Sequence, residues 1–387
     1  MADLDEVPWA GARWYAEGIY PRPVEAASKV KTKTLNRLEL NDVTYNRMWA
    51  TKAAFGVVGE EAAGCLVTGD FPIFVAETRK IEPEFMRAVF QSSAFQDIAS
   101  ARAVGTTERR RLKEPDFLSI QIALPSPCEQ RRIVNVMGAV DAQIEALREE
   151  IARAEALWWA VARDMVEAFA DSDFTRLDAI AEISGGLTKN KKDFQKSDLV
   201  EVPYLRVANV HRRYLDLRSV ALIRTTRVKA EALRLQPGDI LFNEGGDKDK
   251  LGRGDVWRGQ IEHCIHQNHV FRARLTNPEF EPRFVSAWGN SFGKNWFEVF
   301  GTQTTGIASI NKRTLSRFPI PDIPLSDQIA WADRLDAVWQ TKVALSNEFD
   351  ELDRFRSALL SALLNQEIEI PDSYDRVLGE VSSDGVH

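Results

Sequence analysis

The chain has 387 residues, 44% hydrophobic and 28% charged, so it is large enough for two or three domains with proper cores. It has no run of about 18 consecutive apolar residues, and its acidic start lacks the basic region of a signal peptide. We therefore expect a cytoplasmic protein without a membrane span. Its three cysteines are scattered and odd in number, which argues against a disulfide framework.

In chain order, the sequence predicts two globular segments that alternate with two long helices. The first globular segment covers 1–128 and is followed by a helix over 129–170. The second covers 171–325 and is followed by a helix over 326–365. Within the globular segments, short apolar runs predict strands at 203–207, 239–242 and 270–273, and matched short helices at 84–90 and 283–288. The predicted fold class is therefore mixed α/β.

The first long helix carries apolar residues at alternating steps of four and three, which is typical of a coiled coil. This seam consists of Ile133, Met137, Val140, Ile144, Leu147, Ile151, Ala154, Trp158, Val161 and Met165. A helix of this length measures roughly 60 Å at about 1.5 Å per residue and would overrun a small domain. The alternative is two amphipathic helices, each packed on its own domain.

The second long helix repeats this seam, with eight of ten positions apolar. Lys342 and Arg356 interrupt it, so they are predicted either to be exposed or to face a partner. The first helix leaves globular segment one and reaches segment two, and the second helix leaves segment two. If the helices pair along their length, they must be antiparallel, which delivers the tail 366–387 beside segment one.

The chain also repeats itself at a spacing of about 198 residues. Gln130 falls on Gln328, and the flanking residues match as well. Three matches at one spacing predict an internal duplication with a pseudo-two-fold arrangement of two similar units. The matched segments are 126–130 with 324–328, 41–46 with 238–243, and 180–184 with 378–382.

The third match predicts a circular permutation. The segment at 180–184 opens the second copy, but its match at 378–382 lies at the end of the chain. The first copy is therefore predicted to begin at about Ser373, to stop at His387 and to resume at Met1. We expect the two termini to lie close in space, with 366–387 completing the first domain.

The distribution of charge favours nucleic-acid binding, although the net charge of −7 alone argues mildly against it. Basic residues cluster in each globular segment, whereas acidic residues concentrate in the helices and the tail. Such local patches can bind phosphate backbones, and ordinary solvated surface charge is the alternative. The clusters contain Lys29, Lys31, Lys33 and Arg37; Arg109, Arg110, Arg111 and Lys113; Lys189, Lys191 and Lys192; and Arg206, Arg212, Arg213 and Arg218.

The sequence shows no catalytic cluster, no phosphate-binding P-loop and no helicase motif. His263, His266 and His269 are the strongest candidates for a metal site. They run into a strand pattern, which would send alternate side chains to opposite faces. The first copy lacks these histidines, so we expect no metal site and no catalytic residue.

The segment 122–134, Ile-Ala-Leu-Pro-Ser-Pro-Cys-Glu-Gln-Arg-Arg-Ile-Val, leads into the long helix at 141–145. It resembles the specificity subunit of type I restriction–modification systems, and the second copy of this join lies at 318–328. Segments 182–186 and 237–242 resemble internal landmarks of that family's target-recognition domains. The resemblance covers essentially the whole chain.

The resemblance implies a non-catalytic, sequence-specific DNA-recognition subunit. In that family, each globular domain reads one half of an interrupted double-stranded DNA target, and the antiparallel helices set their separation and dock methyltransferase subunits. The resemblance implies target-recognition domains at 1–128 and 171–325, with two methyltransferase subunits as partners and room for restriction subunits. It implies no cofactor in this chain, and S-adenosylmethionine and ATP with magnesium in the partner subunits.

Candidate DNA contacts are cationic and polar residues on loops, because phosphates attract Lys and Arg and base edges accept polar side chains. In the first domain they are Arg47, Trp49, Lys52, Arg109 and Arg110. In the second they are Lys189, Lys191, Lys192, Lys248, Lys250, Arg253, Gln303, Thr304 and Thr305. The alternatives for the whole chain are a coiled-coil scaffold that organises protein partners without reading sequence and, more remotely, a self-contained nuclease or methyltransferase.

Overall fold

The computed structural model describes residues 6–30, 32, 34–105, 110–188, 198–304 and 307–376. The chain forms two compact units. Unit 1 comprises Met1–Arg148 with Asn347–His387, and unit 2 comprises Glu149–Ser346. Among the described residues, no helix combines the length and the apolar content needed to cross a membrane.

Unit 1 is built around a small antiparallel sheet in the strand order β7 (Phe55–Val57), β6 (Asp42–Tyr45), β9 (Ile73–Val75). All four residues of β6 are buried, and Tyr45 belongs to an aromatic core with Phe55 and Phe90. Leu38 and Val67 belong to a second cluster. Its described elements are β1 (Glu6–Val7), β2 (Ala10–Ala12), β3 (Ile19–Pro21), β4 (Glu25–Ala26), β5 (Asn36–Arg37), β6 (Asp42–Tyr45), β7 (Phe55–Val57), β8 (Leu66–Val67), β9 (Ile73–Val75), α1 (Pro83–Gln91), α2 (Ser93–Arg102) and α3 (Glu114–Leu118).

Unit 2 has a four-stranded sheet in the order β11 (Ala181–Ser184), β20 (Val270–Leu275), β16 (Ile240–Asn243), β18 (Gly254–Val256). A second sheet has the order β15 (Ala221–Thr226), β12 (Leu199–Leu205), β19 (Ile265–His266). Its main core gathers Phe242, Phe284, Trp288 and Phe318. Between the two long helices, α4 (Pro127–Ala168) and α10 (Leu325–Leu364), its described elements are β10 (Phe174–Arg176), α5 (Leu177–Ile180), β11 (Ala181–Ser184), β12 (Leu199–Leu205), β13 (Val210–His211), β14 (Tyr214–Leu215), β15 (Ala221–Thr226), α6 (Arg227–Ala232), β16 (Ile240–Asn243), β17 (Gly245–Gly246), β18 (Gly254–Val256), β19 (Ile265–His266), β20 (Val270–Leu275), α7 (Pro282–Asn290), α8 (Phe292–Phe300), β21 (Thr302–Thr304), β22 (Ile307–Ser309), α9 (Lys312–Ser316) and β23 (Pro319–Pro321).

The mixed α/β class predicted from the sequence is confirmed. The predicted strands at 239–242 and 270–273 are present as β16 and β20, and the predicted helices at 84–90 and 283–288 are present as α1 and α7. The strand predicted at 203–207 differs in its bounds, since β12 begins at Leu199 and ends at Leu205.

Within each unit, the segments of α4 and α10 run antiparallel. In unit 1, Arg148 lies over the ring of Phe349, while Asp141, earlier in α4, pairs with Arg356, later in α10. In unit 2, Phe169 at the end of α4 contacts Trp331 near the start of α10. The buried hydrophobic residues of α4 follow the predicted seam, except that Val140, Ile151 and Val161 are only partly buried and Ala162 is fully buried.

The polar interruptions of the second seam have partners inside their own units. The Arg356 guanidinium donates to Asp141 and to Gln91, and its side chain is only 17% exposed. The Lys342 ammonium lies 5.0 Å from the centroid of the Trp339 ring. Arg356 is therefore mostly buried rather than exposed, because Asp141 pairs with it within unit 1. Contact of Arg356 or Lys342 with a partner subunit stays a prediction.

Gln130 fastens the start of α4 to unit 1. Its side-chain amide donates to the carbonyls of Lys80 and Pro125, both at 2.8 Å, and its side-chain oxygen accepts from the Glu82 amide at 2.9 Å. The side chain is fully buried. Three hydrogen bonds satisfy a polar group that would otherwise carry a desolvation cost.

Gln328 makes the same three bonds in unit 2. Its amide donates to the carbonyls of Glu279 at 3.0 Å and Ile323 at 2.9 Å, and its oxygen accepts from the Glu281 amide at 2.9 Å. This side chain is also fully buried. Two matching networks at positions 198 residues apart support the predicted duplication.

The two sheets differ by one strand in the part of the chain that the structure describes. In unit 2, β20 is flanked by β16 and by β11, whereas the matching strand of unit 1, β9, pairs with β6 alone and leaves Val75 88% exposed. The sequence match to β11 lies at 378–382, outside the described residues. The tail just before it packs on unit 1, where the Arg132 guanidinium donates to Asp372 at 2.6 Å and to Asp375 at 2.5 Å. The circular permutation stays a prediction.

Candidate nucleic-acid interface

The candidate interface of unit 2 centres on the loop that joins β16 to β18. The loop is closed at its base, because the Asn243 amide donates to the Arg253 carbonyl at 2.9 Å and the Gly252 amide donates back to the Asn243 carbonyl at 3.1 Å. At its tip, Lys248–Lys250 form one turn of 3₁₀ helix. We call this segment the basic turn.

Two glycines allow the backbone of this loop to pack closely against neighbouring residues of unit 2. Gly252 has a left-handed φ of +61°, and a Cβ there would come within 2.1 Å of the Phe297 ring. A Cβ on Gly254 would lie 1.6 Å from the Leu241 carbonyl oxygen. Only glycine fits either position, so the basic turn is presented from a closely packed base.

A second candidate segment lies beside the basic turn. The hairpin of β21 and β22 pairs with β17 through Gly245–Ser309 and Gly246–Ala308, and the Ile310 amide donates to the Glu244 carbonyl at 2.7 Å. The backbone of Gln303 and Thr304 belongs to β21. The structure thus brings these two predicted contacts next to the loop that carries Lys248, Lys250 and Arg253.

This loop carries the cations Lys248, Lys250 and Arg253 together with the acids Glu244, Asp247 and Asp249, so its formal charges balance. Lys248 is exposed, and Lys250 pairs with Asp247, which holds the pKa of that carboxyl below its usual value. Arg253 is half-buried, its Nε–H has no hydrogen-bond partner, and burial lowers the pKa of its guanidinium. Burial, with the nearby charges of Arg213 and Arg253, also lowers the pKa of Arg212 to about 10.

Unit 1 places a matching turn after the matching strand. Between β6 and β7, Ala50–Lys52 form one turn of 3₁₀ helix, preceded by Trp49. The Trp49 ring packs against Trp14 at 5.5 Å between centroids, and the Lys52 ammonium lies 5.8 Å from the Trp14 ring. Trp14, Trp49 and the neighbouring Tyr15 are exposed by 45%, 41% and 64%. This turn therefore offers aromatic faces where unit 2 offers charges.

Two other predicted contacts of unit 1 have partners inside the fold. Arg47 pairs with Glu114 and donates to the Gly69 carbonyl at 2.8 Å. Arg110 donates to the carbonyls of Ser100 at 2.8 Å and Ala103 at 2.8 to 3.0 Å, so it satisfies the C-terminal end of α2. DNA contact by either guanidinium stays a prediction.

The remaining candidates fall on residues that the structure does not describe. They are Arg109, Lys189, Lys191, Lys192 and Thr305.

The three histidines take separate positions. His266 is fully buried, its Nδ1–H donates to the Val270 carbonyl at 2.7 Å, and burial lowers its pKa to about 4. His269 pairs with Glu244, and His263 sits in a left-handed conformation with a φ of 53°. In the described ranges, no three ligating side chains converge on a metal position.

Sequence reasoning missed the aromatic part of the candidate interface of unit 1. Trp14 and Tyr15 lie more than thirty residues before Trp49, and their pairing depends on the β2–β3 hairpin lying against the β6–β7 loop. The hairpin conformation is unusual, because Tyr15 and Ala16 both have a φ of 57°. The available signal was compositional, namely adjacent aromatic residues after Arg13 in a segment with no helix pattern.

No family model matches the chain. Over 210 residues it is 22% identical to the putative type I restriction enzyme MjaX specificity subunit of Methanocaldococcus jannaschii, a match that covers 54% of this chain and 48% of that protein. The chain thus spans about half the length of this curated relative. The similarity lies in the same family that the join and helix motifs indicated.

The fold is similar to two solved structures. One belongs to work on complex assembly and conformational transition of the type I restriction–modification system, with a TM-score of 0.60, 18% identity, and coverage of 89% of this chain and 86% of that chain. The other is the S subunit of the type I system of M. genitalium, with a TM-score of 0.50, 12% identity, and coverage of 94% and 97%. The resemblance to type I specificity subunits is confirmed. At these identities the structural likeness shows the fold alone.

Proposed function

We propose that this chain is a non-catalytic DNA-recognition subunit of a type I restriction–modification complex. Each unit would read one half of an interrupted double-stranded target. The observation that carries the proposal is the equivalent placement of two loop turns, Lys248–Lys250 in unit 2 and Ala50–Lys52 in unit 1, each between matching strands. The sequence similarity to a specificity subunit supports it.

The physical basis of the proposal is that unit 2 presents cationic side chains and unit 1 presents aromatic ones. The exposed Lys248 and the half-buried Lys250 and Arg253, beside the β21–β22 hairpin, suit phosphate contacts and base edges. The exposed indoles of unit 1 suit apolar contact with bases or sugars. Both turns are single 3₁₀ turns at matching positions, but they carry different side chains. They would therefore read two different half-sites, as an asymmetric interrupted target requires.

We also propose partners for the long helices. Leu157 in unit 2 and Phe355 in unit 1 are 52% and 53% exposed on α4 and α10, and apolar side chains of this size on a helix surface suit protein contact. Two methyltransferase subunits would dock there and supply S-adenosylmethionine. Restriction subunits, where present, would supply ATP and magnesium chemistry, and this chain would hold no cofactor.

A protein scaffold without sequence readout is the second candidate, favoured by the same exposed apolar residues. Replacing Lys248, Lys250 and Arg253 together with Ala separates the two readings. DNA recognition predicts binding weakened at low salt, with the slope of log K against log salt reduced by up to about three, because three cations no longer displace counterions.

The matched control removes three exposed helix cations, Arg153, Arg163 and Arg354. We expect it to lower DNA affinity less than the turn variant does. Equal binding by the wild type and the turn variant at every salt concentration would remove the turn as a contact. Genome-wide adenine methylation after co-expression with a type I methyltransferase subunit then tests the reading itself. A split motif that appears only with this chain supports recognition, and its absence from a stable complex supports the scaffold.

A further inference from the structure

Arg213 lies at the tip of the β13–β14 hairpin of unit 2 and reaches into the long helices. Its guanidinium carbon lies 4.1 Å from the centroid of the Trp158 ring and 4.3 Å from that of Trp339, and it pairs with Glu155. Its side chain is only 9% exposed. We call Arg213, Trp158, Trp339 and Glu155 the Arg213 clamp.

The contacts of the clamp compensate for the burial of the Arg213 guanidinium and depend on a specific backbone conformation. Nε and Nη1 of Arg213 are buried without a hydrogen-bond partner, so two indole faces and the Glu155 carboxylate replace their water. Desolvated cation–π contacts of this kind are the strong ones. The backbone of Arg213 is left-handed, with a φ of 73°, and its amide donates to the Gly254 carbonyl at 2.9 Å. Non-glycine residues hold this conformation only where their surroundings fix it.

The β13–β14 hairpin also contacts the basic turn through a side-chain hydrogen bond. The side chain of Arg212, next to the clamp, donates from Nη2 to the carbonyl of Asp249 at 2.8 Å, inside the turn Lys248–Lys250. On the other side of the tip, the Tyr214 ring stacks on Trp339 at 6.2 Å and 23°. Contacts therefore run without a gap from α4 and α10 through the hairpin tip to the basic turn.

We propose that the Arg213 clamp is a positioning device that fixes the basic turn on the long-helix segments of unit 2, so that the turn meets DNA in one orientation. This proposal rests on the proposed DNA-reading function. Arg213 acts through the turn and contributes no contact of its own to the bases. Loss of the clamp relaxes the half-site preference of unit 2, whereas phosphate affinity changes little because the turn keeps its cations.

The test compares the full-length wild type with Arg213→Ala, Arg213→Lys and the helix-surface control Arg153→Ala. Arg153 lies on the same α4 segment, exposed, and pairs only weakly with Glu149. Amide hydrogen exchange at 248–253 reports the order of the turn. Selection from a library of DNA duplexes randomised in two blocks reports the preference of each half-site.

For Arg213→Ala we expect exchange at 248–253 to rise about tenfold through local opening. We expect the preference at one half-site to fall about tenfold, close to the effect of a mismatched base pair, and the other half-site to be unchanged. Arg213→Lys should recover part of both, because an ammonium keeps the charge but stacks less well. Arg153→Ala should match the wild type.

Exchange and half-site preferences that both stay at wild-type values would overturn the proposal, and so would faster exchange with unchanged preferences. If Arg213→Ala does not fold, Glu155→Gln keeps the shape of the clamp and removes its ion pair, and the same two readouts apply with smaller changes. A wild type without any sequence preference would refute the proposed function. Faster exchange in Arg213→Ala would then still support the clamp as the element that holds the turn.

Discussion

The two units share a backbone plan and differ in how the hairpin tip meets the helices. In unit 2 the left-handed tip residue is Arg213, which fills the space between two indoles. In unit 1 a left-handed tip residue is Ala16, whose amide donates to the Ala53 carbonyl at 2.7 Å. Beside Ala16 lies a polar cleft of about 560 Å³, whereas the cleft beside Arg213 measures about 30 Å³.

The helix residues differ in the same way. The positions 198 residues from Trp158 and Trp339 are Arg356 and Asp141, which form an ion pair in unit 1. At these helix positions, unit 2 therefore has two aromatic rings that hold a cation from its globular part. Unit 1 has a cation and an anion that both belong to the helices and pair with each other. The difference teaches that the contacts between tip and helix can vary while the backbone frame stays the same, which agrees with the proposal that the two units read different half-sites.

Deletion of residues 372–387 should produce the largest difference in local stability between the two units. The tail carries Asp372 and Asp375, which hold Arg132, and the segment matched to β11. We expect amide exchange in residues 6–105 to rise by 100-fold or more, on the order of 3 kcal/mol of local stability, while unit 2 stays protected. Unchanged exchange in unit 1 would show that the circular permutation is wrong.

Gln328→Ala and Gln130→Ala test whether the two networks are equivalent. Each substitution leaves three backbone groups, most of them part-buried, without this partner, so each should cost about 2–4 kcal/mol in the free energy of unfolding. Urea unfolding followed by hydrogen exchange in each unit gives the measurement. A large loss for one variant and a negligible loss for the other would contradict the equivalence.

Asp255→Asn should reveal a pH dependence that only unit 2 has. Burial raises the pKa of the Asp255 carboxyl to about 6, and the matching position in unit 1 is Gly56. Because this pKa lies above the unfolded value of about 3.9, the wild type loses stability as pH rises from 4 to 6. The variant should therefore gain about 2 kcal/mol at pH 7 and nothing at pH 4.

His266 contributes the opposite slope over nearly the same range. Its folded pKa of about 4 lies below the unfolded value of about 6.5, so its contribution to stability falls as pH drops from 6.5 to 4. The two groups offset each other in the wild type. In Asp255→Asn, the melting temperature should therefore fall as pH drops from 7 to 4, because the contribution of His266 is no longer offset. A wild-type plot of melting temperature against pH that runs parallel to the variant's would contradict the assignment of this pH dependence to Asp255 and His266.

The smallest expected effect concerns the aromatic turn of unit 1. Trp49→Ala removes one of two packed, exposed indoles and should weaken DNA binding about fivefold, on the order of 1 kcal/mol, without changing the salt slope. The Lys248, Lys250 and Arg253 variant should also weaken binding, but it should reduce the slope. A duplex-binding titration over salt concentration distinguishes the two, and a slope change for Trp49→Ala would contradict the contrast between the turns.

The sequence by itself predicted the long helices, the internal repeat and the family resemblance, because these depend on local periodicity and on motifs that survive as linear patterns. Gln130 and Gln328 were recognised as a pair from spacing alone, and the structure gave them matching bonds. The basic turn was also found from composition, as Lys248, Lys250 and Arg253.

Only the tertiary structure decided which side chains meet. Trp14 reaches Trp49 across a hairpin, Arg356 is neutralised by an aspartate more than 200 residues earlier, and Arg213 enters a space that two helices form. Such contacts depend on the register and direction of elements far apart in the chain, and charge counts do not record them. Burial then sets the role of each cation, since a guanidinium that has lost its water must take its partners from the fold.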